Sequence, residues 1–174
     1  MKYVALLRGI GPGNPKMHGA KLKWAMEELG FKNVQTLLSS GNVIFESSVK
    51  DAAKLEAKIQ AAWPKKLGFN SMTIVRSQAQ LEALAAADPY KGAAHGNISK
   101  SYLLVTFFKS PPAQEPQENY YRTLGVNALC SSVDNSGDLK TPNFMADLDK
   151  QFGKDQITSR TWLTVQRILA KMTS

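Results

Sequence analysis

The residues best equipped for chemistry in this 174-residue chain are cations near its start. Arg8 ends a short apolar run, and a glycine- and proline-rich segment, Gly9 to Pro15, follows it. Lys16 and His18 stand where that segment would enter a helix, with Lys21 and Lys23 one to two turns on. Glycines let backbone N–H groups approach an anion closely, and a helix N-terminus favours negative charge. Arg8, Gly9, Asn14, Lys16 and Lys21 therefore form a first candidate site for a phosphate or carboxylate. The competing reading is that the glycines and prolines only turn the chain. The segment has neither the Gly-Lys-Ser/Thr of a phosphate-binding loop nor a GxGxxG fingerprint, and no cofactor is expected.

Two further clusters stand out. Ser39-Ser40-Gly41-Asn42 has the length and chemistry of a hairpin turn, with Gly41 and Asn42 suited to positive φ. Ser40 and Asn42 could hydrogen-bond a ligand from there, although a tight turn alone accounts for them. Near the other end, the spacing predicts a helix over 160–171, with Trp162, Val165, Leu169 and Met172 as its buried stripe. Arg160, Thr164, Arg167 and Lys171 line the opposite side. Arg160 at a helix N-terminus would oppose the helix dipole by about 0.3–1 kcal/mol unless an anion is paired to it. That anion is either an internal carboxylate such as Asp155 or a ligand.

The catalytic inventory is thin. There is no G-x-S-x-G nucleophile elbow and no Ser–His–Asp spacing. One cysteine, Cys130, excludes an intrachain disulfide and any multi-thiolate zinc site, and two histidines exclude a His-rich metal site. No metal is expected. Cys130 lies in an apolar run and reads as inert packing. His95, beside Gly96 in a loop, would titrate near neutral pH.

The elements that must position these residues follow from periodicity. Residues 2–8 read as a buried strand, 17–29 as a helix, 34–38 and 42–46 as paired strands, 51 onward as a helix, and 72–76 as a strand. Pro64 predicts a break or kink in that second helix. Strand, helix, strand, strand, helix, strand is the split βαβ, ferredoxin-like order. A helix over 77–87 and a loop from Tyr90 to Ser99 come next, then a strong strand over 101–108. A short helix near 118–124, a strand near 126–133, a return strand near 137–141 and a helix over 143–152 complete the reading. The second half thus begins like the first, but a helix stands where its closing strand would be, and no residue-level repeat is evident. The expectation is an α+β fold of two ferredoxin-like-related halves, residues 1–77 and 78–174, sharing an interface.

The LLRGI opening, the SGNVIF hairpin and the closing TSRTW segment occur together and in order. This set resembles the bacterial family catalogued as domain of unknown function 1697. The resemblance implies an α+β protein of two ferredoxin-like-related subdomains with mainly antiparallel sheets, and it implies no particular reaction. Family members usually continue the first motif with an Asn and a Gly pair. Here Ile10 is followed by Gly11-Pro12-Gly13-Asn14, so Asn14 would have to supply the amide.

Charge points to a partner class. The net charge is +8, of which +6 lies in residues 1–87. Ferredoxin-like sheets bind RNA through aromatics on an open face, and Tyr3 and Phe45 are offered for that role, although the RNP1 pattern is missing. No apolar run reaches the roughly 20 residues a membrane helix needs, and the opening MKYVALLRGI is too short for a signal-peptide core. The expectation is a cytoplasmic module that binds nucleic acid or a phosphorylated small molecule, with Arg8, Lys16, Lys21 and Arg160 converging between the halves. The alternatives are an enzyme acting on a small metabolite through His95 or a carboxylate, and a protein–protein interaction module.

Overall fold

A computed structural model describes residues 1–9, 18–38, 41–93, 102–114, 116, 120–122, 125–136 and 140–174. Contacts divide the chain into two units, Met1–Gln78 with Ala170–Ser174, and Ala79–Leu169. The candidates Asn14, Lys16 and Ser40, and also His95, fall outside the described residues.

In the first unit β1 (Lys2–Leu7), α1 (Gly19–Glu28), β2 (Lys32–Leu37), β3 (Asn42–Glu46), α2 (Ala52–Leu67) and β4 (Thr73–Ser77) follow in the split βαβ order. The strands form an antiparallel sheet ordered β2-β3-β1-β4. Period-2 alternation sends Tyr3, Ala5 and Leu7 to the face on which the helices lie. There they join Leu22, Ala25 and Met26 of α1, Leu55, Ile59 and Trp63 of α2, and Val43, Phe45 and Val75 of the other strands. Tyr3 and Phe45 stack at 5.7 Å inside this core and are 1% and 0% exposed. The expected RNA-binding role of these two rings is therefore excluded: their register parity places them under the helices.

Asp51 caps α2 by accepting from Lys54 N at 3.1 Å. The expected interruption at Pro64 does not end the helix, which runs another turn to Leu67. Gly68 then closes it with φ 76, its N–H reaching Trp63 O and Pro64 O. Within the core, Trp63 Nε1 donates to Thr73 Oγ1 at 2.9 Å, so the indole is satisfied where it is buried.

The first turn of α1 lies hard against β2. A Cβ built on Gly19 would sit 2.5 Å from Thr36 Oγ1, closer than real contacts allow. Gly19→Ala is therefore expected to destabilise the fold by about 1–3 kcal/mol. Thr36→Ala should relieve most of that cost in a double-mutant cycle followed by urea unfolding, and additive effects would contradict the contact.

The second unit contains α3 (Gln78–Ala86, whose first residue belongs to unit one), β5 (Tyr102–Phe108), β6 (Tyr120–Tyr121), β7 (Ala128–Val133), α4 (Thr141–Phe152), β8 (Ile157–Thr161) and α5 (Trp162–Thr173, whose residues from Ala170 belong to unit one). Its antiparallel sheet is ordered β6-β7-β5-β8, the same order strand for strand as the first. Phe108, Leu129 and Ile157 pack on Leu148, Phe144 and Phe152 of α4. Three expectations are corrected here. Tyr120–Tyr121 is a strand, not part of a helix. Thr141 opens α4 rather than ending a strand, with Asn135 Oδ1 accepting from its N–H and hydroxyl at 2.7 and 2.9 Å. The closing strand judged absent exists as β8: Ile157, Thr158 and Arg160 are buried, a pattern too short and polar to register as a strand.

Candidate functional site

The described candidates of the first unit, Arg8, Gly9, Lys21 and Asn42, lie toward one end of its sheet. β1 ends there, β3 and β4 begin there, and the first turn of α1 touches β2 there through Gly19 and Thr36. Backbone bonds tie these ends together. Leu7 N donates to Gly41 O at 2.9 Å and Arg8 N to Met72 O at 2.8 Å. The Ser71 hydroxyl donates to Arg8 O at 2.7 Å. Arg8 is thus fixed by its own backbone at the junction of the hairpin and the entry to β4, half-buried at the rim. Gly9 follows with φ +74 and nothing within 4 Å of where a Cβ would lie. Its glycine answers a left-handed backbone rather than crowding by any described residue. Lys21 is exposed on the first turn of α1, its N–H bonded to His18 O.

The hairpin residues do less for a ligand than their types suggested. Leu38 with φ 58 and Gly41 with φ 68 take the left-handed positions. Asn42 does not: it opens β3, is 1% exposed, and donates from Nδ2 to Leu37 O at 3.0 Å. Its amide ties the hairpin together from within.

Arg160 belongs to the second unit and to a strand. It sits in β8 opposite Val105, two residues before α5, so the conflict with a helix dipole does not arise. The capping group of α5 is Thr161, whose Oγ1 accepts from Thr164 N at 3.1 Å. Arg160 is 8% exposed, and its Nη1 donates to Ser159 O at 2.8 Å and to Thr158 Oγ1 at 3.0 Å. Burial pulls its guanidinium down to about 10, still protonated at neutral pH.

A residue not singled out from sequence explains this geometry. Arg76 holds the matching position in β4, opposite Val4, and its Nη1 donates to Val75 O at 2.8 Å. In each unit, then, an arginine in the fourth strand covers the carbonyl of the residue before it, on the sheet's outer edge. Both arginines precede a hydroxyl residue and then a helix: Arg76-Ser77-α3 and Arg160-Thr161-α5. That shared Arg-Ser/Thr step is the residue-level repeat, and comparing the two ends of the closing strands would have found it. Arg76 also lies 3.6 Å from Glu56 Oε1, with the side chains 5% and 6% exposed. Glu56 and Gln60, one turn apart on α2, accept from Val75 N and Thr73 N at 2.8 and 3.3 Å. A helical turn and a two-residue strand step are similar enough in length to allow this matching.

Elsewhere in the second unit, a cavity of about 210 Å³ is lined by Pro89, Tyr90, Lys91, Ala93, Leu103, Cys130 and Ser132. Tyr90 donates to Leu104 O and packs its ring 5.4 Å from Trp162. Burial pushes the Cys130 thiol up to about 12 and the Tyr90 phenol up as well. Both groups are held in their neutral forms, the opposite of what a nucleophile needs. Among the described residues no cluster of His, Cys, Asp and Glu could hold a metal ion. Among them, too, no helix is long and apolar enough to cross a membrane.

Two antiparallel sheets of identical strand order define an α+β protein; the first unit has the split βαβ element order, and in the second α4 stands between β7 and β8 as α2 stands between β3 and β4. The chain belongs to the bacterial family described as Protein of unknown function (DUF1697), whose pattern matches residues 1–124. It is also similar in fold to the conserved bacterial protein SP0830 from Streptococcus pneumoniae. The TM-score is 0.67 at 18% sequence identity, covering 99% of this chain and 98% of that one. No curated protein matches the chain.

Proposed function

We propose that the chain is a binding module for an anionic, phosphate-bearing ligand, seated at the rim of the first sheet. The observation that carries this reading is the set of backbone bonds that fix Arg8 between Gly41 and Met72, beside a left-handed Gly9. Lys21 on the adjoining helical turn adds charge, and Asn14, Lys16 and Ser40 are neighbours in sequence that would complete the contacts. Arg160 is left out, since its Nη1 serves Ser159 O and Thr158 Oγ1. A phosphorylated small molecule is favoured over RNA laid across the sheet, because Tyr3 and Phe45 are core residues.

Calorimetric titration with pyrophosphate, nucleotides and single-stranded RNA at low and moderate salt tests this. Arg8→Ala should weaken binding by roughly 10–100-fold, the worth of one charge-assisted hydrogen bond, with the melting temperature little changed. Absence of binding to all three probes, or equal affinity in Arg8→Ala, would remove the proposal.

A further inference from the structure

We infer that Trp24 is the stacking platform for the aromatic base of a nucleoside phosphate, with Lys21 attending its charged part. This rests on the phosphate-binding reading above and deepens it by naming the ligand class.

The chain has three tryptophans, and they divide sharply. Trp63 and Trp162 are 0% and 7% exposed, while Trp24 is 48% exposed. On α1, Leu22, Ala25 and Met26 face the core, which leaves Trp24 on the outer side. An indole so placed forfeits a large burial gain, so its position invites a partner. The ring is also positioned rather than loose. Lys66 of α2 holds its ammonium 5.2 Å from the ring centroid and 3.3 Å from Glu28 Oε2, one turn beyond Trp24. Lys21 precedes Trp24 by three residues, so their Cβ atoms are about 5–6 Å apart on one stripe of the helix. Along that stripe lie an aromatic face, a lysine and the first turn of α1, which joins the rim that holds Arg8. A planar base joined through a sugar to a phosphate has its parts in the same order.

The surroundings favour a single nucleotide over a strand. Among the described residues, Trp24 is the only aromatic in the set of exposed large apolar side chains. Single-strand binders stack successive bases on successive rings.

The test uses the full chain and its Trp24→Ala and Trp24→Phe variants, each first checked for an unchanged melting temperature. Adenosine 5′-monophosphate, ribose 5-phosphate, pyrophosphate, a ten-nucleotide single-stranded RNA and a glutamate decapeptide are titrated by calorimetry. Tryptophan fluorescence follows the wild type. Stacking of one base should make the nucleotide bind roughly tenfold tighter than ribose 5-phosphate and quench the exposed indole. Trp24→Ala should erase that preference while keeping ribose 5-phosphate affinity, and Trp24→Phe should retain most of it. Equal affinity for the two, or a preference that survives Trp24→Ala, overturns this inference and leaves the phosphate reading standing. RNA binding more than tenfold tighter than the nucleotide, or quenching by the glutamate peptide alone, also overturns it. Failure of nucleotide, ribose 5-phosphate, pyrophosphate and RNA alike removes both.

Discussion

Replacing Arg76 by methionine is expected to lower stability by about 3–5 kcal/mol, among the largest effects of any single substitution in the chain. The guanidinium lies 3.6 Å from the Glu56 carboxylate, and both side chains are almost wholly buried. Losing one member leaves the other charged and uncompensated, which costs far more than the pair itself contributes. Arg76 also covers Val75 O, so its removal exposes a strand-edge carbonyl. Glu56→Gln keeps an oxygen for Val75 N and should cost less. In the double variant no buried charge is stranded, so the combined loss should fall short of the sum of the singles by 1 kcal/mol or more, of order the coupling typical of contacting residues. Urea unfolding of the four proteins measures this, and strict additivity would show that the two groups do not interact.

The second large effect appears in alkali. Cys130 has its thiol pushed up from 9.0 to about 12 by burial, and burial raises the neighbouring Tyr90 phenol too. Both are acids that ionise more readily in the unfolded chain. Their contribution is complete below the unfolded values and is lost as pH climbs toward the folded ones. Stability should therefore fall above about pH 9 through Cys130 and above about pH 10 through Tyr90, by up to about 1.4 kcal/mol per pH unit for each group. Cys130→Ala should remove one group's share of that slope between pH 9 and 12. Denaturant unfolding from pH 7 to 11 reads it directly, and a level profile across that range would refute the assignment. The same burial should keep Cys130 silent toward thiol reagents until the fold opens.

The first half of the architecture was legible because its elements carry strong local signals: alternating apolar strands, a glycine after α1, Asp51 before α2. The second half hid its closing strand. Ile157–Thr161 reads ITSRT, with a single aliphatic residue, and its burial depends on neighbours far away in the chain. Its polar composition makes Arg160 look like the start of the following helix, and the dipole conflict that this implies disappears once the residue lies in β8. Tyr3 and Phe45 show a different limit. Sequence marks them as strand aromatics, but the sheet face they take depends on register with α1 and α2. Asn42 was visible as a turn residue, whereas its inward bond to Leu37 O required coordinates. Arg76 carries no sequence signal of its own, since a lone arginine in a short strand has no motif; only its counterpart Arg160 gives it meaning.

The side chains that occupy the outer margin of β4 have a consequence for how this protein behaves when crowded. With Val75 N–H, Val75 O and Thr73 N–H already engaged by Glu56, Arg76 and Gln60, a stray segment from another molecule finds few vacant groups to pair with. Concentrated solutions should resist fibril growth templated from that side, and Glu56→Ala should open the way to it. A dye-binding assay for cross-β assembly would then report seeding in the variant under conditions where the parent stays dispersed.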